Sequence, residues 1–591
     1  MSMLVALVMM TYSVVLTSRY GLLDDYGFLY NGITKSNETF HLLVSAGRPI
    51  NAWLFDVGFA AAGSIENLAV LRLVTLLGIS LLACSLYLFS RRHGLPKAAS
   101  AAIAAGVVLL PSFQVYAAWA QHFTTPFAGV LSVAAAYLLS PVRTGDSSCS
   151  LRSVIFASLL LTAGVLTYQP TAMFFCTALL IAVLSSPQPV RHWSWNRLLT
   201  VGISFGLASG LGYIALKVGQ GFFAKDSARY GLLTDPLDKL NWFLQEPLLN
   251  AASLYSIPGN RTLAGVVALF TFAGFALYGV RKGARPGLFI LLIWVLCLLG
   301  SYLPNLATGE NWASYRSIGA LAASVVVTVA MLVFNPIAVY LSGIGSGKRQ
   351  CLAPAGASVG IVLIICLSIL AQRNLSNTIV SPNVAELDNL SVYLAKNAEN
   401  DHVSRIVVRP STWTDYFVPI IVYDEFGFQS SCKRDFARAI VDIVRKSRNV
   451  FLDADITVVE NRDAPVATDN ATLVIDFSQL VTSAKFRTVR DPSKTRREIV
   501  VIADINDYNW TNGIWTNRER PGAYSFVYRR SENGVMLRQG DRIKLAHSGE
   551  RTVVKVDRYG EFVNVLVGGP MLMPADGHPA DVNVEPRMGT R

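Results

Sequence analysis

The chain has 591 residues, of which 52% are hydrophobic and 15% charged, with a formal net charge of +12; a soluble domain carries roughly 25% charged residues. The deficit points to a membrane protein, and the apolar residues gather in runs of about 15 to 25 before position 373, the length that crosses a hydrocarbon core about 30 Å thick. The positive charge does not read as nucleic-acid binding, because Lys and Arg fall in short connections between apolar runs and no basic stripe interleaved with aromatics occurs.

In chain order, the first run, Met1 to Thr17, has no basic residue before it and no small-x-small cleavage site after it, so it reads as a retained helix rather than a cleaved signal. The hydrophobic pattern predicts about eleven spans, near 2–17, 66–89, 98–111, 126–140, 153–168, 171–185, 198–217, 262–280, 287–303, 317–341 and 355–372. With the N-terminus inside, alternate connections carry Arg91, Arg92 and Lys97; Arg143 and Arg152; Arg191 and Arg197; Arg281, Lys282 and Arg285; Lys348 and Arg349. These are short and basic, which is the bias that fixes orientation. An odd number of spans then places everything after residue 373 outside.

The outer connections differ in kind. Residues 18–65 and 218–261 are long, with acidic and aromatic residues among apolar ones, and suit short helices lying in the interface. The tail divides in two. Residues 374–494 alternate β-type runs (Ser404 to Arg409, Ala471 to Asp476) with an amphipathic helix from Cys432 to Ser447, an α/β pattern. Residues 495–591 show closely spaced strands with Asn-Gly and Gly-Asp turn signals, a small β-rich domain. Cys432 is the one thiol expected outside, since Cys84, Cys176, Cys297 and Cys366 lie in apolar runs and Cys149 and Cys351 in basic connections. Disulfides are therefore not expected, and no Cys/His spacing resembles a zinc site.

Chemistry concentrates on the outer face. Asp24 and Asp25 follow the first span, and adjacent carboxylates at a membrane edge are costly to desolvate unless something uses them. On the same loop Arg48 sits in a Gly-Arg-Pro turn. Tyr168 and Gln169 fall at an outer hairpin, and Glu310, Tyr315 and Arg316 occupy the loop before the tenth span. All of these map outward under a topology set by the inner basic residues alone. A carboxylate accompanied by arginines suits displacement at a sugar carbon bonded to a lipid phosphate: the carboxylate accepts the proton of an attacking hydroxyl, and guanidinium groups hold the phosphate bidentately.

The order of acidic pair, Gly-Arg-Pro, Tyr-Gln and Tyr-Arg resembles the Gtr-type O-antigen glucosyltransferases, within the GT-C class of multi-spanning, polyprenyl-phosphate-sugar-dependent enzymes. The resemblance covers roughly residues 15–340. It implies a GT-C membrane domain over 1–373, a bacterial inner-membrane location with a periplasmic active site, catalysis by Asp24 or Asp25, and a lipid-linked, glucose-like monosaccharide as donor. The acceptor it implies is a cell-surface glycan, such as lipopolysaccharide O-antigen, or its lipid-linked precursor. The tail departs from the family, whose plain members end soon after the last helix. Sites in this class sometimes hold a divalent metal, but two adjacent acids alone are not a coordination shell.

Several weaker signals have plainer readings beside the functional one. His122 lines the outer cavity or belongs to an interfacial aromatic belt. Asp226, Arg229 and Tyr230 contact substrate or lie on an interfacial helix. Asp424 and Glu425 suit a turn between strand and helix, and Trp510 and Trp515 stack on a sugar or fill a β core. The expected function is a membrane hexosyltransferase. The alternative is a flippase for lipid-linked glycans, which would place ionisable residues at mid-bilayer; these spans are nearly devoid of charge at their centres. A glycan-binding assembly protein would not need eleven spans as an anchor.

Overall fold

The computed structural model describes the chain except for 141–149, 187, 224–230, 335–345, 399–402, 412–423, 428, 460–470, 478–479 and 481–500; beyond 500 it describes the backbone of the strands alone. Among the described residues, six helices are long and apolar enough to cross a membrane: Leu68–Arg92, Ala120–Leu139, Trp195–Phe223, Arg261–Lys282, Ala284–Ser301 and Gly360–Asn397. Lys97–Val108 and Pro111–Ala118, bent by 59° at their junction, make a seventh. Shorter apolar helices, Ser2–Tyr12, Leu151–Thr167, Gln169–Leu184 and Gly319–Leu332, account for the other predicted spans. The chain is a multi-pass α-helical membrane protein.

Local chemistry fixes where several helices start. Asn260 accepts the Leu263 amide at 2.9 Å and caps Arg261–Lys282. Asp235 accepts the amides of Leu237 and Asp238, both at 3.0 Å, ahead of Pro236–Gln245. Each satisfies backbone donors that a helix start leaves unpaired. Proline opens Pro49–Ala62 and Pro111–Ala118, where its missing N–H costs nothing.

The two long connections form short helices, as expected: Asp24–Thr34, Glu38–Ser45 and Pro49–Ala62 in the first, Pro236–Gln245 and Pro247–Ala252 in the second. The last membrane helix does not stop at residue 373. It continues through a π turn, Ser376–Val380, into Ser381–Asn397. A continuous helix of 38 residues is about 57 Å long, so its C-terminal part projects well past a hydrocarbon core.

That projection carries the tail. Strands Asp455–Val458, Arg405–Arg409 and Thr472–Asp476 form a parallel sheet with Arg405–Arg409 central. The helix Arg434–Ser447 lays Ile440, Val441 and Val444 inward. Beyond residue 500 a six-stranded antiparallel sheet runs in the order Val582–Val584, Arg542–Leu545, Gly549–Tyr559, Phe562–Gly568, Ala523–Arg529, Val501–Ile502. A two-stranded ribbon, Tyr508–Thr511 with Ile514–Asn517, sets Trp510 opposite Trp515.

Two apolar cores organise the described residues. One lies among the membrane helices. The other joins Phe28, Phe55 and Phe59 of the first long connection to Leu390, Ile406, Ile440 and Ile475 of the tail. The parallel-sheet unit and the helices after the first span thus share one interior.

Candidate active site

The acidic pair opens the helix Asp24–Thr34, and one helical step, about 100° of rotation, sends its carboxylates in different directions. Asp25 points inward and is fully buried. Its Oδ2 accepts the amides of Leu22 at 3.0 Å and Ala120 at 3.2 Å, and its Oδ1 that of Gln121 at 2.9 Å. Burial pushes its pKa up to about 7, against the opposing pull of Arg72 and of those three N–H groups. Arg72 is buried beside it, donating to the carbonyls of Ala118 (3.1 Å), Val15 (3.4 Å) and Tyr20 and lying over the Tyr20 ring at 3.7 Å. Asp25 and Arg72 therefore fasten residues 15–25 to residues 118–121.

Asp24 faces the other way, with its side chain 29% exposed, and its Oδ2 lies 3.9 Å from Arg316 Nη1. Arg316 reaches it from a loop almost three hundred residues later. The Arg316 guanidinium also lies 3.3 Å from Glu425 Oε1, and over the rings of Trp119 (5.0 Å) and Trp312 (5.4 Å). Its carbonyl accepts the Tyr116 hydroxyl at 2.7 Å. Burial works against its charge, but Glu425, Tyr168, Asp24 and Asp424 more than offset this and hold it above its ordinary pKa.

The Gly-Arg-Pro and Tyr-Gln motifs meet. Arg48 Nε donates to Gln169 Oε1 at 2.6 Å, Gln169 Nε2 donates to the carbonyls of Ala46 (3.1 Å) and Gly47 (3.2 Å), and the Arg48 guanidinium lies 4.6 Å over the Tyr168 ring. Gly47 adopts φ +73°, and a Cβ there would sit 3.0 Å from Leu216 Cβ, so both conformation and space call for glycine. His122 is buried between the two arginines, within range of both charges. Its ring packs against Tyr116, Trp119 and Tyr168, and Nδ1 contacts Thr125 Oγ1 at 3.0 Å. His122 is thus buried among aromatic rings rather than placed at an exposed interface.

Two further predicted residues, Tyr315 and Glu310, lie on the stretch that carries Arg316. Tyr315 is buried, with its hydroxyl donating to the Ser256 carbonyl at 3.3 Å and its ring 5.5 Å from Phe426. Glu310 offers its carbonyl to the buried Lys239 Nζ at 2.7 Å, and Lys239 also reaches Asn311 Oδ1 at 3.1 Å. Asp226, Arg229 and Tyr230 lie outside the described residues.

Asp424 and Glu425 do form a turn, with Asp424 at φ +52°, but the turn folds back onto the membrane domain. Asp424 accepts the Tyr315 amide, and Glu425 accepts the Ser314 hydroxyl as well as Arg316. Burial and the adjacent Glu425 charge push the Asp424 pKa well above the usual carboxylate range. Sequence reading also passed over Trp119, Trp312 and Arg72. Only Arg72 left a signal, as a charged residue within a predicted span. Among the described residues no three His, Cys, Asp or Glu side chains are arranged to hold a metal ion.

The assembled site is a partly exposed carboxylate, two guanidinium groups and a wall of aromatic rings, supplied by loops far apart in the chain. No family model matches the chain, and no curated protein matches it. Two crystal structures of ArnT from Cupriavidus metallidurans are similar to it. The form bound to undecaprenyl phosphate is 12% identical, with 96% of this chain and 97% of ArnT covered, at a TM-score of 0.37. The apo form is 13% identical over 74% of this chain and 84% of ArnT, also at a TM-score of 0.37.

Proposed function

We propose that the chain is a GT-C-type glycosyltransferase that takes a monosaccharide from a polyprenyl-phosphate donor and passes it to a surface glycan or its lipid-linked precursor, at the periplasmic face of a bacterial inner membrane. The observation that carries this reading is the convergence of Asp24 with Arg316, beside the cluster of Arg48, Tyr168, Gln169 and His122. These residues come from four separate stretches of the chain, at or beside the ends of apolar helices.

In the proposed reaction an acceptor hydroxyl attacks the anomeric carbon while the bond from that carbon to the phosphate oxygen breaks. The hydroxyl proton passes to Asp24, and the polyprenyl phosphate leaves with the bonding pair. Arg316 and Arg48 hold the phosphate and stabilise its growing charge. Asp24 is the base because it is partly exposed, whereas Asp25 has its oxygens committed to three backbone amides. Trp312, which is not buried, supplies an apolar face beside Arg316 against which a sugar ring or a prenyl chain packs. Residues 1–373 would form the catalytic membrane domain, with an α/β domain over 374–494 and a β-rich domain over 495–591.

The test is transfer from a synthetic polyprenyl-phosphate-sugar donor by the purified protein. Asp24→Asn is expected to lower kcat by about 10²- to 10⁴-fold, with the fold retained. Full turnover by Asp24→Asn would remove Asp24 as the base and with it this mechanism.

A further inference from the structure

We infer that tail residues 424–427 and 429–431 are a positioning element of the catalytic centre, fixing both Asp24 and Arg316 from outside the membrane domain. The inference rests on the reading of Asp24 and Arg316 as the reacting pair. Its first leg is Ser430. This serine is fully buried, and its Oγ accepts the Leu23 amide at 2.8 Å while donating to Asn383 Oδ1 at 2.9 Å. Leu23 immediately precedes Asp24 and holds φ +44°. A branched-chain residue persists in that conformation only where its surroundings over-determine it. The Ser430 bond fixes the peptide from which the Asp24 helix departs, and so the direction of the Asp24 carboxylate.

The second leg is Glu425, whose Oε1 lies 3.3 Å from Arg316 Nε while Asp24 lies 3.9 Å from Nη1. Arg316 is thus held between a carboxylate of the tail and one of the first outer loop. A third set of bonds keeps the segment itself in place. Ser431 donates to the buried Glu386 carboxylate on the projecting helix, and its Oγ meets Ser411 Oγ at 2.6 Å. Ser430 and Glu425 lie five residues apart, so one short stretch of the tail grips both partners. Neither residue needs to touch the substrate to matter, because a displacement of about 1 Å in a reacting group costs on the order of 10²-fold in rate.

The full-length protein is compared with Ser430→Ala, Glu425→Gln and Asp24→Asn by hydrogen–deuterium exchange and by transfer kinetics. In Ser430→Ala the Leu23 amide loses its acceptor, so peptides spanning 19–30 are expected to exchange about tenfold faster while the membrane helices keep their protection. Both tail variants are expected to lower kcat by about 10- to 100-fold with the donor KM within about twofold. Unchanged exchange over 19–30 in Ser430→Ala overturns the pinning of Asp24. A raised KM with intact kcat overturns positioning in favour of binding. Full activity in Asp24→Asn removes Asp24 as the base instead, and the exchange result then still decides whether the tail holds Leu23.

Discussion

Asp24 and Asp25 share a residue type and a loop but not an environment, and a consequence in solution follows for Asp25. Its pKa in the fold, about 7, exceeds the value near 4 of an unperturbed carboxyl, so the folded chain binds this proton more tightly than the unfolded chain. The stabilisation this gives is fully present below about pH 4 and is lost as pH rises through about 7. The melting temperature of the purified protein is therefore expected to fall between about pH 5 and about pH 7.5, and Asp25→Asn to flatten that fall; an equally steep fall in the variant would assign it to other groups. Asp25→Ala strips three backbone amides of their acceptor and is expected to cost several kcal/mol of stability, at about 1–3 kcal/mol for each donor left unmet. At this scale the sequence exposed the pair because its two acids are adjacent at the edge of an apolar run. It could not divide their roles, since that depends on Ala120, Gln121 and Arg316, which only the fold brings near.

At the scale of elements, the loops that carry Arg48 and Arg316 are held in register by turns and side-chain bonds of their own. The Gly47 turn presents Arg48 to Gln169, and its positive φ and the nearness of Leu216 leave no room for a side chain. Gly47→Ala is expected to lower activity by roughly tenfold or more through displacement of Arg48. The effect belongs in the donor KM if Arg48 holds the phosphate. Lys239 plays a matching part for the loop that carries Arg316, tying it through Glu310 and Asn311 while lying 4.2 Å over the Trp242 ring. Lys239→Met keeps the apolar stem and removes the bonds, and is expected to raise protease sensitivity within 305–318 while the helices remain intact. The predicted spans were legible because apolar length is nearly the whole of that signal. The Asp424–Glu425 turn was legible as a turn but not as part of the site, because its partner Arg316 lies more than a hundred residues earlier and no local pattern records such a contact.

At the scale of the molecule, the second apolar core decides how the tail relates to the membrane domain. Phe28, Phe55 and Phe59 form an aromatic cluster, with the Phe28 and Phe55 ring centroids 5.3 Å apart, and the surrounding interior includes Leu390, Ile406, Ile440 and Ile475 of the tail. Packing of this kind makes the acidic-pair helix and the parallel-sheet unit open together rather than in turn, because neither buries its apolar face alone. Ile440, fully buried on the helix Arg434–Ser447, is the place to test it. Ile440→Ala is expected to cost about 2–5 kcal/mol and to speed hydrogen exchange both in the strands Arg405–Arg409 and Thr472–Asp476 and in the helix Asp24–Thr34. Exchange that rises in the strands while Asp24–Thr34 stays protected would separate the two units and leave the tail an appendage. A joint response would mean that the first loop of the membrane domain, with its Asp24 carboxylate, completes its fold only on a surface supplied by the last third of the chain.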